Sequence, residues 1–256
     1  MSAGANIGTR RCLLFAACAL ALLAGAQPAG AEVVQQGGLR ISYDAALRPG
    51  TLPTRGTAPA TVTFGARLLP LHGEELPQLR RVTVAINRHG FLDSAGLPVC
   101  HYRQLAAADT ASALRDCGRS LVGEGKFRAR VLIPDQAPFP NRGRLLAFYG
   151  SYRGRPAILG HVFGTNPAPI SYTIPFRLRQ SRGTFGTILS AEIGRSVGDS
   201  GYITLLQMTI GGRFGHLRAA CPARSGTSAL FPLAALSIGF PDRDLRATLQ
   251  RSCRSR

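Results

Sequence analysis

A period of two in the apolar residues is the feature that most constrains how this chain can fold. In residues 61–68, TVTFGARL, every second residue is apolar, and the same pattern occurs in residues 80–87, 127–133 and 171–179. Successive side chains of a β-strand point to opposite faces, so each segment predicts a strand with one buried face. Further strands are expected in RLLAFYGSY, PAILGHVFG, GTFGTILSAEI, GYITLLQMTI, LAALSIGF and LRATLQRSC.

Turn-forming connections separate these short segments. Stretches such as RGR, QSRG and PDRD are typical of hairpin turns, and Pro175 predicts an edge strand because proline lacks a backbone donor. Many short strands with almost no helix predict an all-β fold, an antiparallel β-sandwich of immunoglobulin-like or jelly-roll-like type. One short helix is expected near residues 110–117, where Thr110 or Asp109 would cap ASALRDC.

The N-terminus has the anatomy of a secretory signal peptide. Arg10 and Arg11 precede the apolar run CLLFAACALALLAGA, and we expect residues 1–31 to be removed by cleavage after Ala31. The alternative is a lipoprotein acylated at Cys18. No later segment has the roughly 18 uninterrupted apolar residues of a transmembrane helix. The mature protein is therefore expected to be secreted or held at the cell envelope.

The mature chain, residues 32–256, is long enough for one large domain. We expect a single β-sandwich domain, or two subdomains that pack together and divide near residues 164–170, in the loop GTNPAPI.

Four cysteines remain after the leader is removed. An even number in an exported protein predicts two disulfides, for which three pairings are open. We expect each disulfide to bracket one compact stretch of sequence, pairing Cys100 with Cys117 and Cys221 with Cys253. The spacings lack the Cys-x-x-Cys clusters of zinc sites, so we expect no metal.

Positive charge is the strongest peculiarity of composition. Without Arg10 and Arg11 the chain has 29 basic and 13 acidic residues, a formal charge of about +16. Two predicted strands carry arginine on their solvent side, at Arg128, Arg130, Arg177 and Arg179. We expect these four to bind anionic polysaccharide, wall polymer or lipid headgroups. The alternative is an even spread of charge that aids only solubility, and the chain shows no specific nucleic-acid motif.

The tetrapeptide Gly198-Asp199-Ser200-Gly201 matches the nucleophile motif of chymotrypsin-like serine proteases. The next residues, Tyr202 and Ile203, depart from that family's pattern, and no histidine has the family's Ala-Ala-His-Cys context. We therefore interpret the stretch as a turn between strands. A secreted hydrolase, serine-type or glycosidase, is the alternative function.

A glycosidase would need paired carboxylates and usually a sugar-stacking tryptophan, which this chain lacks. No spacing selects a pair among the candidate carboxylates, a small pool that includes Glu74, Glu75, Glu124, Asp135 and Glu192.

Residues 86–105 form the densest polar loop, with candidate functional residues at His89, Asp93, Ser94, His101 and Arg103. A binding site there is one interpretation, since loops on a rigid scaffold often carry function. The other is a pair of glycine-ended turns anchored by Cys100. Neither interpretation requires a cofactor, and we expect none.

The runs AINRHGFLDSAGLPVC, LVGEGKF and GRPAILGHVFGT resemble a group of exported, disulfide-containing, β-rich proteins of high-GC bacteria. The resemblance covers most of the mature chain. Because no activity is known for that group, it implies export and transfers no catalytic residue. We therefore expect a non-catalytic protein that binds, or associates structurally with, anionic material of the cell envelope.

Overall fold

The computed structural model describes residues 31–71, 76–166, 168–194 and 201–256, and residues 31–256 form one compact unit. The described residues are mostly β-strand, which confirms the all-β prediction. The strands are β1 Glu32–Gln36, β2 Leu39–Arg48, β3 Thr51–Leu52, β4 Ala58–Pro59, β5 Thr61–Pro70, β6 Arg81–Asn87, β7 Gly90–Leu92, β8 Cys100–His101, β9 Leu121–Val131, β10 Phe139–Tyr152, β11 Arg155–Gly164, β12 Ile170–Gln180, β13 Phe185–Glu192, β14 Gly201–Gly211, β15 Leu217–Ala219, β16 Ser228–Gly239 and β17 Asp244–Ser255. The helices are α1 Tyr102–Leu105 and α2 Thr110–Cys117, with short 3-10 turns at Gly118–Ser120 and Gly212–Phe214.

One large, mainly antiparallel sheet dominates the molecule. Its strands follow the order β1-β2-β5-β14-β9-β10-β11-β12-β13-β6-β16-β17-β3, and β8 pairs with β10 beside this path. The sheet curls until β17 approaches β1 and β2. Arg251 of β17 donates hydrogen bonds to the carboxylate of Glu32 and to the carbonyl of Ala45.

The curl gives the sheet an inner and an outer face. On β5 the alternate residues Val62, Phe64, Ala66 and Leu68 point inward, as their spacing predicts, and pack with apolar residues of β2, β16 and β17. The opposed layers of the predicted sandwich are thus approximated by facing parts of one curled sheet. The twist of long strands favours such curling once a sheet has this many strands.

A second, three-stranded sheet in the order β4-β15-β7 adds to the apolar interior. Its Leu92 and Leu217 line the same interior as the inward residues of the large sheet. The Cys221–Cys253 disulfide, just after β15, joins this region to β17 and confirms that predicted pair.

Helices α1 and α2 form a flap, which we define as residues 98–120, on the outer face of β10 to β12. The Cys100–Cys117 disulfide closes the flap and confirms the other predicted pair. Asp109 caps α2 by accepting a hydrogen bond of 2.7 Å from the backbone of Ser112, so the predicted helix is present with the second of its two candidate caps. Under the flap, Leu146 and Phe148 of β10 are fully buried.

The ladder between β12 and β13 is short. It covers four residue pairs, from Arg177 with Ser190 to Gln180 with Thr187, whereas β12 pairs with β11 over eight. Pro175 therefore lies where β12 has a partner on one side only. β12 is not an edge strand of the sheet. The missing backbone donor of Pro175 is nevertheless tolerated, because this part of β12 is unpaired on one side, as an edge strand is.

Candidate functional site

The four predicted arginines all reach solvent. Arg128 and Arg130 alternate along β9 with inward-facing Phe127 and Ala129, and all four arginine side chains are exposed. Arg177 and Arg179 alternate on β12 with Phe176 and Leu178, which line the interior. Successive side chains of a strand point to opposite faces. These arginines therefore lie on the outer face, because their apolar neighbours occupy the inner one.

Positive residues face each other across β9 and β10. Arg128 lies directly opposite Arg142, and Lys126 lies directly opposite Arg144, with all four side chains exposed. Together with Arg130 they form what we call the basic face: Lys126, Arg128, Arg130, Arg142 and Arg144. The backbones of the two strands lie about 5 Å apart, and alternate residues along one strand lie about 7 Å apart. Arg67 of β5 lies in the same cross-strand row, because Leu205 of β14 pairs with Arg128 on one side and with Arg67 on the other.

Little negative charge balances the basic face. Glu124 of β9 pairs with Arg144 at 3.1 Å and also with Arg213 of the adjoining 3-10 turn. Among the described residues, Lys126, Arg128 and Arg142 have no ion-pair partner. Like charges placed directly opposite each other destabilise an antiparallel pair, so folding alone does not explain this arrangement.

The structure does not bring Arg177 and Arg179 to the basic face. Gly143, next to Arg142, pairs with Gly164 of β11, whereas Arg177 pairs with Ala157, seven residues further along that strand. Seven residues of extended chain span about 23 Å. The flap also covers the outer face between these two positions, since Ala157 is part of its buried cluster.

The hydrolase candidates find little support in the described geometry. Ser200 and Asp199 lie outside the described residues, as do Glu74 and Glu75. Of the remaining carboxylates, Glu192 pairs with Arg81 at 3.0 Å and Glu124 with two arginines, while Asp135 lies in a loop with positive φ. Each of these two glutamates is thus held by arginine on the outer face.

Residues 86–105, predicted as a polar loop, contain β7, β8 and α1, and two of their polar side chains stabilise turns. The side chain of Asn87 accepts a hydrogen bond from the backbone of His89 and donates one to the carbonyl of Pro232. Asp93 accepts from the backbone of Ala95, which is the pattern of a turn stabilised by its own aspartate. Burial and the neighbouring Arg88 lower the pKa of His89.

One pair that sequence reasoning missed is His101 with Ser151. Their side chains approach to 3.2 Å because β8 pairs in parallel with the end of β10. Both are solvent-exposed or half-buried, and among the described residues no carboxylate hydrogen-bonds the imidazole. Among the described residues, the pair thus lacks the orienting group that a catalytic base normally has. Because the two residues are 50 positions apart, no local sequence pattern indicated that their side chains would meet.

A second missed feature is His161, which is fully buried beneath the flap. Its Nδ1 lies 3.3 Å from the hydroxyl of Thr173, and that hydroxyl donates to the carbonyl of Leu105 in α1. Nε2 has no hydrogen-bond partner among the described residues. Burial lowers the pKa of His161, and the nearby charge of Asp109 opposes that shift.

Residues 31–71, 76–166, 168–194 and 201–256 contain neither a cluster of three metal-ligating side chains nor a helix long and apolar enough to cross a membrane. Comparison with known proteins found no matching family model, no matching curated protein and no matching solved structure. The assignment of function therefore depends on the geometry of this chain.

Proposed function

We propose that this protein is an exported, non-catalytic binding protein that associates with anionic material of the cell envelope through its basic face. The observation that carries the proposal is that like-charged residues lie opposite each other across two strands, Arg128 with Arg142 and Lys126 with Arg144. An anionic ligand would relieve the repulsion that the fold leaves in place. The two disulfides support export, because disulfides persist in oxidising compartments.

The chemistry of the basic face suits phosphate, sulfate or carboxylate groups. Four of its five residues are arginines, whose planar guanidinium can give two parallel hydrogen bonds to such an anion. The sheet spaces the attachment points of these side chains at about 5 Å by about 7 Å. A repeating polyanion can therefore meet several of them at once, and its release of counterions would drive binding.

The test compares two variants of equal charge. Arg128→Gln with Arg142→Gln removes two charges from the basic face, and Arg177→Gln with Arg179→Gln removes two charges about 23 Å away. Binding to immobilised polyphosphate and to anionic vesicles is measured from low to high salt. For the first variant we expect the slope of log affinity against log salt to fall by about 2 units, roughly 1 for each lost contact.

The second variant is expected to change that slope little. Equal losses in the two variants would show that net charge alone governs retention, and an affinity independent of salt would contradict the proposal outright. Retention on polyphosphate but not on vesicles would identify the ligand as a polymer and exclude a lipid surface.

A further inference from the structure

The curled sheet surrounds an apolar cavity of about 280 Å³. Inward side chains of most strands line it, among them Phe64, Val84, Leu145, Ile174 and Met208. Native interiors are close-packed and contain few voids larger than a water molecule. Apolar side chains that face such a space lose the contacts they would otherwise make, so an empty cavity of this size disfavours the fold.

The volume indicates the size of a molecule that would fill the cavity. An engineered apolar cavity of roughly 150 Å³ in another protein stays dry and takes up benzene. By the same proportion, this cavity has room for roughly eleven non-hydrogen atoms. Its apolar lining favours a hydrocarbon over a group of ordered waters, because a buried water needs several polar partners.

A few polar side chains interrupt the apolar lining, among them a buried asparagine. Asn141 of β10 is only 5% exposed, lines the cavity, and its Oδ1 has no hydrogen-bond partner among the described residues. Gly164 of the neighbouring strand leaves space for this amide, since a Cβ at that position would lie 1.9 Å from Oδ1. A buried acceptor without a donor is unfavourable, and a ligand hydroxyl would supply the donor.

The polar end of the cavity coincides with the poorly paired part of the sheet. Asn141 lies opposite Ala129, next to Arg130 and near Tyr202, and all of them line the cavity. The half of β12 that begins at Ile170 lines the same end and has no ladder to β13. Unpaired strands separate more easily than paired ones, which makes this side the natural route for a ligand.

We propose that the interior is a binding site for an aliphatic alcohol whose chain fills the cavity and whose hydroxyl donates to Oδ1 of Asn141. The proposal stands apart from the polyanion binding at the outer basic face, because the hydroxyl contact depends on Asn141, which is not part of that face, although Arg130 adjoins both sites. The proposed ligand is a flexible molecule with one hydrocarbon chain and one hydrogen-bond donor.

The first experiment measures the affinity of the full mature chain for linear alcohols from 1-hexanol to 1-tetradecanol by calorimetry. Each methylene that enters the cavity should raise the affinity about fourfold. The rise should end near ten carbons, when the cavity is full. A rise that continues unchanged to 1-tetradecanol, or no binding of any alcohol, would overturn the proposal.

The second experiment tests the hydroxyl. We expect 1-decanol to bind about fivefold more tightly than nonyl methyl ether, which has the same number of non-hydrogen atoms but no donor. In Asn141→Leu the two ligands should bind equally. A preference for 1-decanol that persists in this variant would refute the role of Asn141, and preferential binding of decanoate would assign the head group to Arg130 instead.

The third experiment fills the cavity. Ala147 points inward on β10 and lines the cavity, whereas Ala46 of β2 is exposed. Ala147→Phe should abolish 1-decanol binding and Ala46→Phe should leave it unchanged, with folding of each variant checked by circular dichroism and thermal unfolding. If Ala147→Phe does not fold, Ala129→Phe takes its place. Decanol binding that survives filling would place the ligand outside the cavity and overturn the proposal.

A last control separates the two proposals. The double variant Arg128→Gln with Arg142→Gln should bind 1-decanol as the unchanged protein does, even where it loses polyphosphate. Loss of decanol binding in that variant would contradict a purely internal site.

Discussion

The two halves of β10 differ on the same outer face. In the first half, Arg142 and Arg144 point into solvent, whereas in the second half Leu146 and Phe148 are fully buried beneath the flap. The inner residues of both halves line the same interior. One face of a single strand can thus be covered along part of its length and exposed to solvent along the rest. Its side chains on that face are apolar beneath the flap and basic beyond it.

The largest expected difference between the halves is in stability. Phe148→Ala should lower the free energy of unfolding by about 3–5 kcal/mol, because it empties a fully buried position. Arg142→Ala, on the same strand and face, should change it by no more than about 0.5 kcal/mol. Urea unfolding followed by circular dichroism measures both, and similar losses in the two variants would show that the halves do not differ as described.

The flap itself can be weakened by removing its disulfide. Replacing Cys100 and Cys117 together with serine should lower the free energy of unfolding by about 3 kcal/mol, given the 17-residue separation. Amide hydrogen exchange should then rise over Leu146 and Phe148, while salt-dependent retention on polyphosphate should not change. Reduced retention in this variant would mean that the basic face depends on the flap.

Acid should destabilise the covered half through His161. Because burial lowers its pKa, the folded state binds fewer protons than the unfolded state below about pH 6.5. Stability should be full above that pH and should decrease as the pH falls through 6.5 toward 5. The urea midpoint is measured at pH 7.5 and 5.0.

His161→Gln should reduce this pH dependence. Burial also lowers the pKa of His89, which lies outside the flap, so His89→Gln serves as the comparison variant. It should reduce the pH dependence less, because His89 is half-buried and His161 is fully buried. An unchanged pH dependence in His161→Gln would show that the buried imidazole does not titrate as described.

The smallest expected effect concerns the bare half. Arg142→Glu converts a like-charged pair with Arg128 into an opposite-charged one and should raise the free energy of unfolding by about 0.2–1 kcal/mol. The same variant should bind polyphosphate more weakly. A gain in stability without a loss of binding would separate the cross-strand repulsion from the proposed function.

Alternation predicted most of what is local in this fold. Residues such as Val62 and Phe127 face inward, and Asp109 begins the helix that ends at Cys117, because each of these features depends on a few neighbouring residues. The apolar run LLAF in β10 also held a signal that period-two reasoning passed over, since a strand apolar on both sides is covered on both.

Long-range geometry could not be predicted in the same way. The order of strands brings β14 between β5 and β9, and no residue of β14 marks those partners. For that reason the four arginines of two strands could not be assigned to separate regions of the surface. The cavity is likewise a property of how far the sheet curls, and Asn141, a buried polar residue in its lining, stands in an otherwise ordinary strand.

The flap begins and ends at nearly the same point. The hydroxyl of Ser120 donates to the carbonyl of Pro98 at 2.8 Å, so the two ends of the flap lie beside each other. A loop with adjoining ends can change length at little entropic penalty, because the closure of its ends is already provided. The flap is thus an exchangeable part: another insert that covers Leu146 and Phe148 could replace it while the strands on either side keep their ladders.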